Sequence, residues 1–179
     1  AAQHVDITLP TTFINVDEFL AFRNATATTP EGGAAVFVLA MLLYEIDEAV
    51  AHDAMVIALD AGELSSDPDG YRGYTYAYRA REFINRYLIP KPYLARSYVL
   101  GTAPDGQYQP PEELVVRLTR NRYSIVAEDR VKVFVACSGA DSPRPMTLKM
   151  NNRGIWKAYE YSSLFVGIRP PVEIVDDPL

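Results

Sequence analysis

Hydrophobic residues change their spacing at Pro90, and that change limits the fold more than any other feature of the chain. Before it, Tyr76, Ala80, Phe83, Ile84, Tyr87 and Leu88 form one stripe, with Arg79, Glu82 and Arg86 opposite. That is the pattern of an amphipathic helix. After it, apolar residues alternate with polar ones, as on half-buried strands. Helices with one greasy stripe and a sheet with one greasy face each need a cover, and each supplies the other's. The chain is therefore read as α+β. N-terminal helices, over about 12–90, pack on a C-terminal curved antiparallel sheet of about five strands, over about 93–168. Neither half can bury its apolar surface alone, so 1–179 is read as a single domain.

Start and stop signals place the elements. Asn15 can cap a first helix, with Glu18 three residues on as in a capping box. Thr29-Pro30-Glu31 opens a second: a cap, a proline at the first helical position and an acid near the positive dipole end. Its continuation, Ala34–Tyr44, is apolar all round and reads as central and buried. A third helix is expected over Asp47–Leu59, and a loop over Ser65–Gly70. Strands are expected at Tyr93–Leu100, Leu114–Thr119, Val131–Cys137, Met146–Met150 and Ile155–Glu160, with Gly101–Pro111 as a loop. Asn151-Asn152-Arg153-Gly154 is a hairpin turn, because Asn and Gly tolerate positive φ.

Composition removes several function classes. The formal net charge of -6 argues against a nucleic-acid coat. Ala34–Tyr44 is about half the roughly 20 residues that span a bilayer, so no membrane association is expected. The single cysteine, Cys137, excludes internal disulfides and multi-cysteine zinc sites, and the lack of disulfides points to the cytoplasm. Alternation turns Cys137 inward with Val131, Val133 and Val135. Glu31-Gly32-Gly33 is no phosphate loop, Asp67-Pro68-Asp69-Gly70 is a turn short of calcium ligands, and no cofactor or metal is expected. The two histidines are His4, in the N-terminal tail, and His52, on the polar side of a helix. Neither has a nucleophile partner by spacing, so no catalytic residue is assigned.

Thirteen of the 17 basic residues are Arg, which suits bidentate ion pairs or an oxyanion-binding surface. The loop Ser138–Pro145 sets Asp141, Ser142 and Arg144 between two strands, with Arg144 framed by prolines. A fixed Arg among small polar residues can hold an anion or a peptide carboxylate. The plainer reading is a rigid corner whose polar groups serve the fold. Arg96 and Arg169 carry the same ambiguity, and Tyr98 adds an aromatic beside them, as interfaces use.

Several segments carry a family resemblance: Tyr93–Tyr98, Gly101-Thr102-Ala103-Pro104, Tyr108, Ser138–Pro145, Trp156, Ile168-Arg169-Pro170-Pro171 and Asp177-Pro178. The Thr29-Pro30-Glu31 start and its apolar run fit too. Together they resemble the bacterial family DUF6935, a domain of unknown function, over most of the chain. The chain departs from that pattern at Leu179, where the family carries an aromatic after Asp-Pro. The resemblance implies a fold unit and a bacterial origin, and brings no catalytic residues. The expectation is a noncatalytic module that binds a protein or peptide through Arg96, Tyr98, Asp141, Ser142, Arg144 and Arg169, and that can form a homo-oligomer. The alternatives are a small hydrolase- or isomerase-like enzyme with a pocket between helices and sheet, and a subunit of a larger assembly with an exposed apolar patch.

Overall fold

The apolar run after Thr29 becomes the axis of the molecule. In the computed structural model, which describes residues 3–179, every residue of α2 (Pro30–Leu42) is buried. The Thr29 hydroxyl accepts from the Gly32 amide at 3.0 Å and so caps its start. α1 (Val16–Thr26) begins with the expected capping box: Glu18 N donates to Asn15 Oδ1 at 2.8 Å, and Asn15 N to Glu18 Oε1 at 3.2 Å. α3 (Glu48–Ala58) starts where Asp47 accepts from the Ala49 and Val50 amides. α4 (Tyr78–Phe83) runs into a π-helical turn at Ile84–Leu88.

α2 lies across the inner face of a six-stranded sheet. Its strands are β1 (Gln3–Thr8), β4 (Val115–Arg120), β5 (Ile125–Ala127), β6 (Arg130–Val135), β7 (Arg144–Met150) and β8 (Trp156–Glu160). The order is β1-β4-β6-β7-β8, with β5 also paired to β6 and all pairs antiparallel. Val116, Leu118, Val133, Val135, Met146, Leu148 and Ala158 bury against the helices in one continuous core. Phe37 of α2 meets Tyr161 and Phe165 with ring centroids 5.4 and 6.1 Å apart, so the seam between the layers is filled with side chains. Arg120 of β4 grips the buried Glu31 at the start of α2, and its Nη2 donates to Oε2 at 3.0 Å.

Four expectations need correction. Tyr93–Leu100 is not a strand: α5 (Tyr93–Arg96) and turns occupy it. Leu94, Ala95, Ser97, Tyr98 and Val99 are all buried, so no face alternates. Ser97 Oγ on Leu94 O (2.6 Å) and Thr102 Oγ1 on Val99 O (2.8 Å) satisfy the carbonyls locally instead. Ser65–Gly70 lies in β2 (Leu64–Tyr71), which forms a hairpin with β3 (Tyr74–Tyr76). The turn-like Asp67 remains, accepting from the Asp69 amide at 2.9 Å where the register breaks. His4 belongs to edge strand β1, opposite Thr119, and not to a tail. His52, expected to face solvent on the polar side of its helix, is half-buried, with its Nε2 2.8 Å from Thr75 Oγ1.

Candidate anion-binding cleft

Two hairpin tips and two helices converge at one edge of the fold. α1 contributes Leu20 and Arg23, and α3 contributes Val56 and Ile57. The β2–β3 hairpin brings Tyr71, Arg72 and Tyr74, and the β7–β8 hairpin brings Asn151, Arg153 and Ile155, followed by Lys157 on β8. They enclose an open cleft of about 390 Å³. Four of its lining residues are cationic and none is acidic.

Local chemistry sets each tip. Arg72 has φ 51° and Gly73 φ 86°, the paired left-handed geometry of a tight hairpin turn. The Arg72 guanidinium sits 5.2 Å over the Tyr71 ring. In the other tip, Asn151 Oδ1 accepts from the Arg153 amide at 2.9 Å and the Ile155 amide at 3.0 Å, and Gly154 takes φ 75°. The hairpin expected at Asn151–Gly154 is thus present, and Asn151 fixes the backbone that carries Arg153.

The walls are held by close backbone approaches. Trp156 N donates to Ala27 O at 2.8 Å, joining β8 to the end of α1. A side chain at Gly33 would put its Cβ 2.6 Å from Trp156 O, so only glycine lets α2 pass this close to β8. Asp60 N donates to Ala158 O at 2.8 Å, holding the end of α3 to the same strand. His52 ties α3 to the β2–β3 hairpin: Nδ1 contacts Asp53 Oδ1 at 3.0 Å and Nε2 contacts Thr75 Oγ1 at 2.8 Å. This carboxylate–imidazole–hydroxyl series lies outside the cleft lining and braces the hairpin that carries Arg72.

The concentration of positive charge tells on the groups themselves. Burial pushes the Arg23 pKa down, and Arg72 and Arg153 push it the same way against an opposing pull from Tyr71. Burial also depresses the Lys157 ammonium to about 8, with Arg23 adding to the effect and Asp60 opposing it.

The residues singled out in the sequence lie elsewhere. Asp141, Arg144 and Arg169 come together in one corner, and each has an internal partner. Arg169 pairs with Asp141, Arg144 Nη2 donates to Gly167 O at 2.9 Å, and Arg169 N donates to Gly139 O at 2.9 Å. Ser142 is exposed beside them. Arg96 Nη1 donates to Gln107 O at 3.2 Å and its Nε lies 3.4 Å from Glu45. Tyr98 is fully buried, with its hydroxyl on Leu164 O at 2.7 Å, so it presents no ring to a partner. Cys137 is half-buried, its thiol 3.4 Å from Ser97 Oγ.

The model of the family described as a domain of unknown function, DUF6935, matches residues 9–172. The chain belongs to DUF6935. The match spans α1 through β8, so it takes in every element of the cleft in this DUF6935 domain. Neither the curated proteins nor the solved structures contain a match to it. Among its described residues, no helix is long and apolar enough to cross a membrane.

Proposed function

We propose that this DUF6935 domain is a noncatalytic recognition module that holds an acidic segment of a protein or peptide partner in the basic cleft. One observation carries the reading: Arg23, Arg72, Arg153 and Lys157 line a single cleft with no carboxylate among the lining residues, on a chain of net charge -6. A cation cluster with no carboxylate in its lining costs stability through mutual repulsion, and an anionic ligand relieves it. Leu20, Ile57, Ile155, Tyr71 and Tyr74 offer apolar and aromatic surface between the charges. The best fit is therefore a segment in which Asp or Glu alternates with apolar residues. Between α2 and the sheet, where the rival enzyme reading looks for a pocket, Phe37, Tyr161 and Phe165 pack together, which favours recognition at the surface cleft.

The test is fluorescence anisotropy with a labelled peptide rich in Asp, Glu and Tyr, beside its Asn/Gln counterpart. The acidic peptide should bind, and should weaken about tenfold or more between about 50 and 300 mM salt. The double variant R72E/R153E should lose binding, since both side chains stand on solvent-facing turns. Equal binding of the neutral peptide, or an unaffected double variant, removes the proposal.

A further inference from the structure

Lys157 differs from the other three cations of the cleft. It is a primary amine, half-buried on β8, and no ion pair of the described residues involves it. It shares its cleft with three guanidinium groups, which hold carboxylates and do not react. An anion docked on the arginines brings whatever electrophile it carries to the amine.

We infer that Lys157 is a covalent capture site for small anionic carbonyl compounds of the 2-oxo carboxylate class. The class follows from the lining. The carboxylate answers the arginines, and the adjacent carbonyl carbon is the partner a primary amine takes. In the reaction the neutral Nζ adds to the carbonyl carbon. The carbonyl oxygen takes up the two amine protons and leaves as water, and a C=N bond replaces the C=O bond. No oxidant, reductant or further reactant is required. The step depends on a neutral amine, and Lys157 supplies one near neutrality because burial and Arg23 disfavour its charged form. Asp60 is the acidic group that works against this, and Lys149 faces Lys157 across the β7–β8 pair.

This goes beyond the peptide-recognition reading and uses the same cleft, so the experiment must separate the two. The intact wild-type protein is incubated with glyoxylate and cyanoborohydride, which reduces the imine to a stable amine. Labelling at each lysine is then followed by peptide mass spectrometry. At pH about 7.5 a lysine titrating near 8 is neutral roughly two hundred times more often than an ordinary one, and its lower basicity returns part of that gain. Lys157 should therefore be labelled on the order of tenfold faster than Lys91, Lys132 and Lys149. The preference for Lys157 over the other lysines should be largest below about pH 8 and shrink above it as they too lose their protons, and sulfate should slow labelling at Lys157. Propanal, which lacks the carboxylate, should show a smaller preference for Lys157. Equal labelling of the four lysines, no label at Lys157, or the same preference with propanal overturns the inference. Anisotropy of the acidic peptide on the same sample reports the recognition reading independently. A sample that binds peptide but shows no preference at Lys157 sinks only the covalent step. Selective labelling without peptide binding sinks only the recognition reading.

Discussion

Charge on Lys157 opposes folding. Its folded-state pKa is about 8 against 10.5 for the free side chain. Between those values the folded chain binds fewer protons than the unfolded one, so stability rises with pH across that window. Below pH 8 both forms are charged and the whole cost is present, about 1–3 kcal/mol for a group this buried. Lys157→Met should therefore raise the unfolding free energy from urea titration at pH 7 by that amount, and the advantage should shrink as pH approaches 10.5. An advantage that stays constant from pH 7 to 10 would show that packing, not charge, is responsible. Glu31 is the opposite case. It is buried, and Arg120 answers it with two bonds that pin β4 to the start of α2. Glu31→Gln should cost about 2–3 kcal/mol in chemical denaturation, because the guanidinium then loses its counter-charge in a partly dry site. A cost near zero would mean that water already serves Arg120.

Elements meet at the cleft through contacts that tolerate little change. Gly33→Ala drives a methyl toward the Trp156 carbonyl, and the backbone of β8 must retreat. Overpacking of this kind costs about 1–3 kcal/mol, and the loss should come with weaker peptide binding, since Lys157 follows Trp156 directly. Stability lost with affinity unchanged would show that β8 shifts without disturbing the cleft. The hairpin brace makes a cleaner case. Thr75→Val keeps the shape of the side chain and removes the hydroxyl that meets His52 Nε2. Hydrogen exchange of the β2–β3 amides should speed up and peptide affinity should fall, and Thr75→Ser should restore both. Element starts were legible wherever one side chain decides them: Asn15, Thr29 and Asp47 each cap the helix expected after them. They were not legible where tertiary burial overrides local pattern. Tyr93–Leu100 has strand-like residues, yet burial on all sides and hydroxyl caps from Ser97 and Thr102 turn it into a short helix and turns. The β2–β3 hairpin hid behind Asp67-Pro68-Asp69-Gly70, a turn signal lying inside an irregular strand.

At the scale of the whole molecule the cleft was invisible in the sequence for a geometric reason. Arg23, Arg72, Arg153 and Lys157 stand on an α-helix, two hairpin tips and a strand, and only the tertiary fold gathers them. The excess of Arg over Lys hinted at an oxyanion surface, but no local pattern said which arginines remain unpaired. Asp141, Arg144 and Arg169 have the more conspicuous loop, and the fold uses them to close its own corner. This division makes a thermodynamic prediction. Ligand that binds only the folded chain stabilises it by RT ln(1 + [L]/Kd), about 2.7 kcal/mol at a hundredfold excess over Kd. For a domain of this size that is a rise in Tm of about 5–10 °C. Salt alone also helps a chain with a net charge of -6 by screening its self-repulsion, so the comparison must be made at fixed ionic strength. At matched ionic strength, acidic peptide should raise the Tm of the wild type and leave R72E/R153E unmoved. Substituting Arg144, whose guanidinium is committed to Gly167, should lower the starting Tm but preserve the ligand-induced rise. The reverse pattern, a rise that survives R72E/R153E and vanishes with Arg144, would place recognition in the corner and leave the basic cleft without a ligand.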